Sequence, residues 1–115
     1  INQLDSATLS TGNLKSLASS RGWIDLGKII STVDRIRGYG DFYHYHLLAA
    51  GKIDAVIESD VNILDIAALS IIINEAGGLF TDLDGSTPCL ETRSVLAANP
   101  KLHASLQKHL VKHKA

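Results

Sequence analysis

The chain has 115 residues, 45% apolar and 20% charged, which predicts one globular domain and excludes a disordered tail. Its 11 basic and 12 acidic side chains give a net charge of −1, which argues against non-specific binding to nucleic acid or to an anionic membrane. The longest largely apolar stretches, such as residues 67–73, are far shorter than a membrane span.

The cysteine count and the first residue bear on compartment and completeness. Cys89 is the single cysteine, so an intrachain disulfide is excluded and a reducing, cytoplasmic compartment is expected. The sequence starts at Ile1, contains no Met and carries no secretory or transit signature. We therefore expect residues 1–115 to be one subdomain cut from a longer polypeptide.

The first third of the chain alternates strand and helix patterns. A weak strand is predicted at residues 6–11 and is ended by Gly12. A short helix at 14–20 and an apolar helical stripe at 24–33 follow, and residues 34–39 form an extended segment.

The remaining elements are better marked. Asp41 is a good N-cap for a helix that ends at Gly51, and Asp65 stands where the next helix begins, before Gly77 and Gly78 end it. The other predicted elements are strands at 53–58, 79–81 and 94–98, a turn at Asp84-Gly85 and a last helix at 101–114. This alternation predicts an α/β fold, a mixed, largely parallel sheet with helices packed on its faces.

Three carboxylates crowd one strand–loop–helix passage. Glu58 and Asp60 lead into Asp65 beyond the carboxyl end of a predicted strand, where open α/β sheets usually bind ligands. A divalent cation such as Mg²⁺ would relieve their mutual repulsion, because it takes oxygen ligands. The alternatives are that Asp65 only caps its helix and that Asp60 points into water.

A glycine-rich passage at residues 37–41 (RGYGD) is the second candidate. Glycines before a helix start let backbone N–H groups approach an anion, and Arg37 has the chemistry to pair with a carboxylate or phosphate. An ordinary strand-to-helix turn requires the same glycines, and the passage matches neither a Walker loop nor a dinucleotide-binding fingerprint.

Residues 38–85 read GYGDFYHYHLLAAGKIDAVIESDVNILDIAALSIIINEAGGLFTDLDG, and this run resembles the C-terminal half of the inositol monophosphatase family of Mg²⁺-dependent phosphatases. The family's second signature is matched by residues 64–69 (LDIAAL) followed by 75–78 (EAGG). The resemblance extends over about residues 35–99, and the stretch that begins at Arg37 is similar to the histidinol-phosphate phosphatase branch.

The resemblance implies a role for each matching position. Asp65 corresponds to a metal ligand, and Glu58 to a residue that hydrogen-bonds a substrate hydroxyl or, in the histidinol branch, meets a cationic amine. Arg37, Asp41 and Phe42 correspond to the segment that lines the substrate side of the cleft. Leu64 departs from the family pattern, since many members carry Trp beside the ligand Asp.

The family's other motifs, a Glu pair in a helix and an Asp-Pro-x-Asp-Gly-Thr strand and loop, are missing from these residues. They belong to the N-terminal half and supply most of the metal ligands. The resemblance therefore implies an intact Mg²⁺-dependent enzyme that hydrolyses a small phosphate monoester by metal-activated water, and a fragment that is inactive alone. A homodimer is expected by analogy with the family alone.

Two other function classes stay open at this point. One is a non-catalytic module that binds a partner or a phosphorylated ligand; the other is a structural oligomerisation domain. The coding sequence upstream of Ile1 would distinguish the non-catalytic module from the enzyme, because only the enzyme requires the missing motifs. An exposed apolar surface does not separate the oligomerisation domain from a half that lacks its partner.

The remaining polar residues are weaker candidates. His44 and His46 are two apart on a predicted helix and face different directions, so they make a poor chelate. Residues 109 and 113, both His, are expected at a solvated helix end, and residues 82–85 in a turn. Cys89 has no convincing base partner.

Overall fold

The computed structural model describes residues 3–12, 17, 23–38, 43–59, 61, 63–89, 92 and 94–111. After a 3₁₀ turn at Leu4–Ser6, strands and helices alternate along the chain until the last two strands. The elements are β1 (Thr8–Thr11), α1 (Trp23–Thr32), β2 (Arg35–Arg37), α2 (Tyr43–Ala49), β3 (Ala55–Ser59), α3 (Ile63–Glu75), β4 (Leu79–Thr81), β5 (Ser94–Ala98) and α4 (Pro100–Val111).

The strands form one mixed sheet in the order β2-β1-β3-β5-β4. β1 is parallel to both β2 and β3, while β5 is antiparallel to β3 and to β4. Four of the five described strands thus run in one direction, with β5 reversed between β3 and β4. The predicted mixed, largely parallel sheet is confirmed.

Helices cover both faces of the sheet, and each face has its own hydrophobic core. Alternate residues along β3 divide between them, with Ala55 and Ile57 in one core and Val56 in the other. Buried residues of α1 and α4 complete the first core, and buried residues of α2 and α3 complete the second. Because Ser10 and Glu58 keep this alternation, they lie on the face covered by α2.

Most predicted boundaries agree with the structure to within a few residues. Gly51 and Gly77 have φ of 75° and 89°, the left-handed conformation that glycine adopts easily after a helix. Asn99 caps α4, since its Oδ1 accepts the backbone N–H of Leu102 at 2.8 Å. The helix predicted at 14–20 lies outside the described residues except for Leu17, which is helical and buried.

The start of α3 is a correction to the sequence prediction. The helix begins at Ile63, so Asp65 is its third residue and not its N-cap. The residue before the helix in the sequence is Asn62, a type that is favoured at N-cap positions. It lies outside the described residues, as does the predicted N-cap Asp41.

α3 is apolar on both sides. Ile66, Leu69 and Ile73 are buried against the sheet, whereas Ile71 and Ile72 on the outer side are 60% and 38% exposed. A helix that is apolar all round normally belongs to the interior of a larger assembly. Among the described helices, none combines the length and apolar character that crossing a bilayer requires.

Candidate active site

The candidate site lies where β1, β2 and β3 end. Parallel strands bring their carboxyl ends to one edge of the sheet, so the register places Ser10 beside Arg37 on one side and Val56 on the other. Gly12 follows β1, and its backbone N–H donates to the carbonyl of Ile57 at 3.0 Å. This edge is the position at which α/β sheets usually bind ligands.

Glu58 is the centre of this edge, and two side chains of α2 hold its carboxylate. The hydroxyl of Tyr45 donates a hydrogen bond to Oε1 of Glu58. Nε2 of His44 lies 3.3 Å from the same oxygen. The side chain of Glu58 is 13% exposed and that of His44 is fully buried, so Glu58 is the member of this pair that reaches solvent.

The hydrogen-bond network continues inward from His44 to β1. Its Nδ1 lies 3.0 Å from the hydroxyl of Ser10, which is fully buried. In the neutral ring, Nε2 carries the proton because a carboxylate oxygen only accepts, and Nδ1 then accepts from Ser10. Burial, followed by the neighbouring charge of Glu58, raises the pKa of the Tyr45 hydroxyl far above its usual value, so Tyr45 stays a donor.

The Ser10–His44–Glu58 chain has the residue types of a hydrolase triad, but it does not form one. A nucleophilic serine must reach its substrate, and Ser10 is fully buried beneath His44 and α2. The network therefore fixes the position of the exposed carboxylate.

Of the residues predicted to line the substrate cleft, one can be located. Arg37 ends β2 next to Ser10 in the sheet; it is exposed, and its Nη1 donates to the carbonyl of Ile36 at 2.9 Å. Asp41 and Phe42 lie outside the described residues, and so does Asp60. For Asp65 the structure describes only a helical position, not the side chain.

The described residues alone do not form a metal centre. No group of three or more His, Cys, Asp or Glu side chains comes together within the described ranges. At the site edge, Glu58 supplies an oxygen donor of the kind that Mg²⁺ prefers, and Asp65 has the same donor chemistry in the sequence. The donor chemistry fits, but these residues can contribute only part of a coordination shell.

Two of the weaker candidates, Asp82 and His109, make local structural hydrogen bonds. The carboxylate of Asp82 accepts the N–H groups of Asp84 and Ser86 at 2.8 and 2.9 Å, which confirms the predicted turn. His109 bonds the carbonyl of Ser105 in its own helix at 2.9 Å, and Cys89 is exposed. His44 and His46 do face different directions, because one is buried and the other exposed.

The sequence singles out Glu58 as a candidate but not the residues that hold it. From the sequence, Tyr45 is only part of a helix, Ser10 only part of a strand, and His44 a poor chelate with His46. The available signal was the strand alternation, which places Ser10 on the same face as Val56 and Glu58. What the sequence does not show is that α2 lies over that face.

Comparisons with known proteins identify the family of the chain. The profile of the inositol monophosphatase family matches residues 10–115. A histidinol-phosphatase from Streptomyces coelicolor is 36% identical over 110 residues, which are 90% of this chain and 41% of that protein. A histidinol-phosphatase from Mycobacterium tuberculosis is 42% identical over 72% of this chain and 32% of its own length. An inositol-1-monophosphatase from Bacillus subtilis is 36% identical over 72% of this chain and 33% of its own length.

Solved structures agree with the fold. The extragenic suppressor protein suhB from Bartonella henselae superposes with a TM-score of 0.87 at 26% identity, over 98% of this chain and 44% of that one. An inositol monophosphatase from Zymomonas mobilis superposes with a TM-score of 0.84 at 29% identity, over 94% of this chain and 43% of that one. The chain spans less than half the length of these relatives, and it belongs to the inositol monophosphatase family.

Proposed function

We propose that the chain is the C-terminal part of a Mg²⁺-dependent phosphatase that hydrolyses a small phosphate monoester. The observation that carries the proposal is the Glu58 carboxylate, held by His44 and Tyr45 at the ligand-binding edge of a sheet with this family's fold. A fixed, partly exposed carboxylate suits the recognition of a hydroxyl or an ammonium group. Histidinol phosphate offers an ammonium group, and inositol monophosphate offers hydroxyls.

The outer face of α3 supports the assignment to one half of a larger fold. This face consists of Ala67, Ala68, Ile71 and Ile72, all exposed in the chain. Exposed apolar surface of this kind marks a contact with another protein segment. The N-terminal half of the same polypeptide is the occupant we propose, because the relatives are more than twice as long as the region matched here.

Asp65 would supply one Mg²⁺ ligand from this half, and the N-terminal half would supply the others. Phosphate monoesters hydrolyse extremely slowly without a catalyst, and bound Mg²⁺ provides activated water and neutralises charge on the phosphate. Within this chain, Glu58 would bind the alcohol portion of the substrate, and Arg37 lies at the same edge to face an anionic group.

The test is turnover of histidinol phosphate and inositol monophosphate by the complete polypeptide in the presence of Mg²⁺. Asp65→Asn removes an anionic ligand while keeping the size of the side chain, and we expect turnover to fall by about a hundredfold or more and to require higher Mg²⁺. Glu75→Gln, an exposed carboxylate at the other end of α3, is the matched control. Near-normal turnover of Asp65→Asn would remove Asp65 from the metal site.

Residues 1–115 purified alone should bind Mg²⁺ poorly and show no phosphatase turnover. Turnover by this piece would contradict its assignment to one half. If the complete polypeptide hydrolyses neither substrate yet binds histidinol phosphate, the non-catalytic ligand-binding module is the better interpretation.

A further inference from the structure

The two oxygens of Glu58 have different surroundings. Both side-chain donors, the Tyr45 hydroxyl and Nε2 of His44, are directed at Oε1. Among the described residues, no donor is directed at Oε2. An oxygen with two donors has used its two lone pairs, so a ligand must bind the other oxygen.

Gly12 determines where that second oxygen lies. A Cβ at position 12 would be 2.6 Å from Oε2 and 2.4 Å from Cγ of Glu58. No real side chain tolerates such distances, so this orientation of Glu58 requires glycine at position 12. The requirement comes from proximity alone, since the φ of Gly12 is not in the left-handed region.

The buried part of the network makes the orientation rigid. His44 is held from below by Ser10 and touches the ring of Tyr45 edge-on, with ring centroids 4.5 Å apart. Tyr45 in turn packs against Phe80 at 5.8 Å. Neither donor can follow the carboxylate if it rotates, so rotation of Glu58 would leave both donors without their acceptor.

We propose that His44 and Tyr45 are positioning residues that occupy Oε1 of Glu58 and so leave Oε2, beside Gly12, as the single acceptor for a hydrogen-bond donor on the alcohol portion of the substrate. This inference rests on the proposed function. It adds a selection rule: a substrate is favoured when it carries a hydroxyl or ammonium group at that point and disfavoured when it carries only an acceptor there.

Glu58→Gln is the sharpest test, because His44 and Tyr45 would orient the new amide. The amide oxygen satisfies both donors at Oε1, and the NH₂ group then replaces Oε2, so the free position changes from acceptor to donor. In the complete polypeptide we expect KM for histidinol phosphate to rise about tenfold to a hundredfold with kcat little changed.

Tyr45→Phe tests the positioning role separately. Removing one donor from Oε1 should raise KM about threefold to tenfold in the wild-type background. In the Glu58→Gln background it should add almost nothing, because Tyr45 acts only through that carboxylate. His46→Gln, an exposed residue one position further on α2, is the matched control for general effects on the helix.

The ¹⁵N shifts of the His44 ring provide a readout that does not depend on turnover. We expect the proton on Nε2, and a proton on Nδ1 alone would overturn the proposal. Turnover with an unchanged KM in Glu58→Gln, or additive effects of the two substitutions, would overturn the positioning role and leave the phosphatase assignment intact. Absence of turnover in the wild-type polypeptide would instead overturn the proposed function, and the role of Oε2 with it.

Discussion

Two buried histidines of this chain show how similar surroundings produce different roles. Each ring faces a hydroxyl group: His44 lies 3.0 Å from Ser10, and His103 lies 2.7 Å from Thr81. The second nitrogen of His44 reaches the carboxylate of Glu58 at a partly exposed edge, whereas no described carboxylate contacts His103. The group that the second ring nitrogen contacts therefore distinguishes His44, a residue of the candidate site, from His103, a residue of the packed interior.

The largest expected effect comes from replacing each ring with leucine. His44→Leu removes a donor from Glu58 and the ring partner of Ser10 inside a closed space, so we expect a loss of about 3 kcal/mol in the free energy of unfolding. His103→Leu should cost only about 1 kcal/mol, because the Thr81 hydroxyl keeps the carbonyl of Asp82 as acceptor at 2.8 Å.

Urea denaturation of both variants measures the contrast. If His103→Leu proves as costly as His44→Leu, the partner on the far side of the ring does not matter and the two regions are equivalent. His46→Leu is the control, because it measures how the same substitution changes the free energy of unfolding at an exposed position of α2.

Substitutions at two glycines test whether the Glu58 carboxylate packs against position 12. Gly12→Ala places a methyl group against Glu58, and we expect it to destabilise the fold by about 1–3 kcal/mol while displacing the carboxylate. Gly27→Ala is the matched control: apart from its chain neighbours and the backbone of its own helix, nothing lies within 4 Å of the added Cβ. Alanine is the better helix former, so this change should stabilise α1 by about 1 kcal/mol. Opposite signs in thermal denaturation are the expected result; equal signs would refute the close approach of Glu58 to position 12.

The fold was predictable to the extent that it depends on local pattern. Strand bounds 79–81 and 94–98 follow from short apolar runs next to turn residues, and Gly51 and Gly77 end helices for a conformational reason. The position of β5 between β3 and β4 was not predictable, because strand order depends on contacts between residues far apart in the chain.

Of the candidate site, the sequence singled out Glu58 but not the side chains that hold it. Glu58 stands out as a carboxylate at the end of a strand, whereas His44 appeared to be one of two helix histidines without a role. Only the packing of α2 over β1 and β3 shows that His44 joins Ser10 to Glu58. For Asp65, the family match supplies the expected role, and its side chain lies outside what the structure describes.

The smallest expected effect is the pH dependence that His103 imposes on stability. Burial lowers the pKa of His103 below its ordinary value of 6.5. Near pH 6.5 the unfolded chain therefore binds a proton at His103, whereas the folded chain does not. The free energy of unfolding must then fall as the pH drops below that point. His103→Leu should flatten this decline between pH 8 and pH 5 when the free energy of unfolding is measured by urea denaturation at each pH. A decline of the same slope in His103→Leu would show that the proton is taken up elsewhere and that burial of the His103 ring does not set this pH dependence.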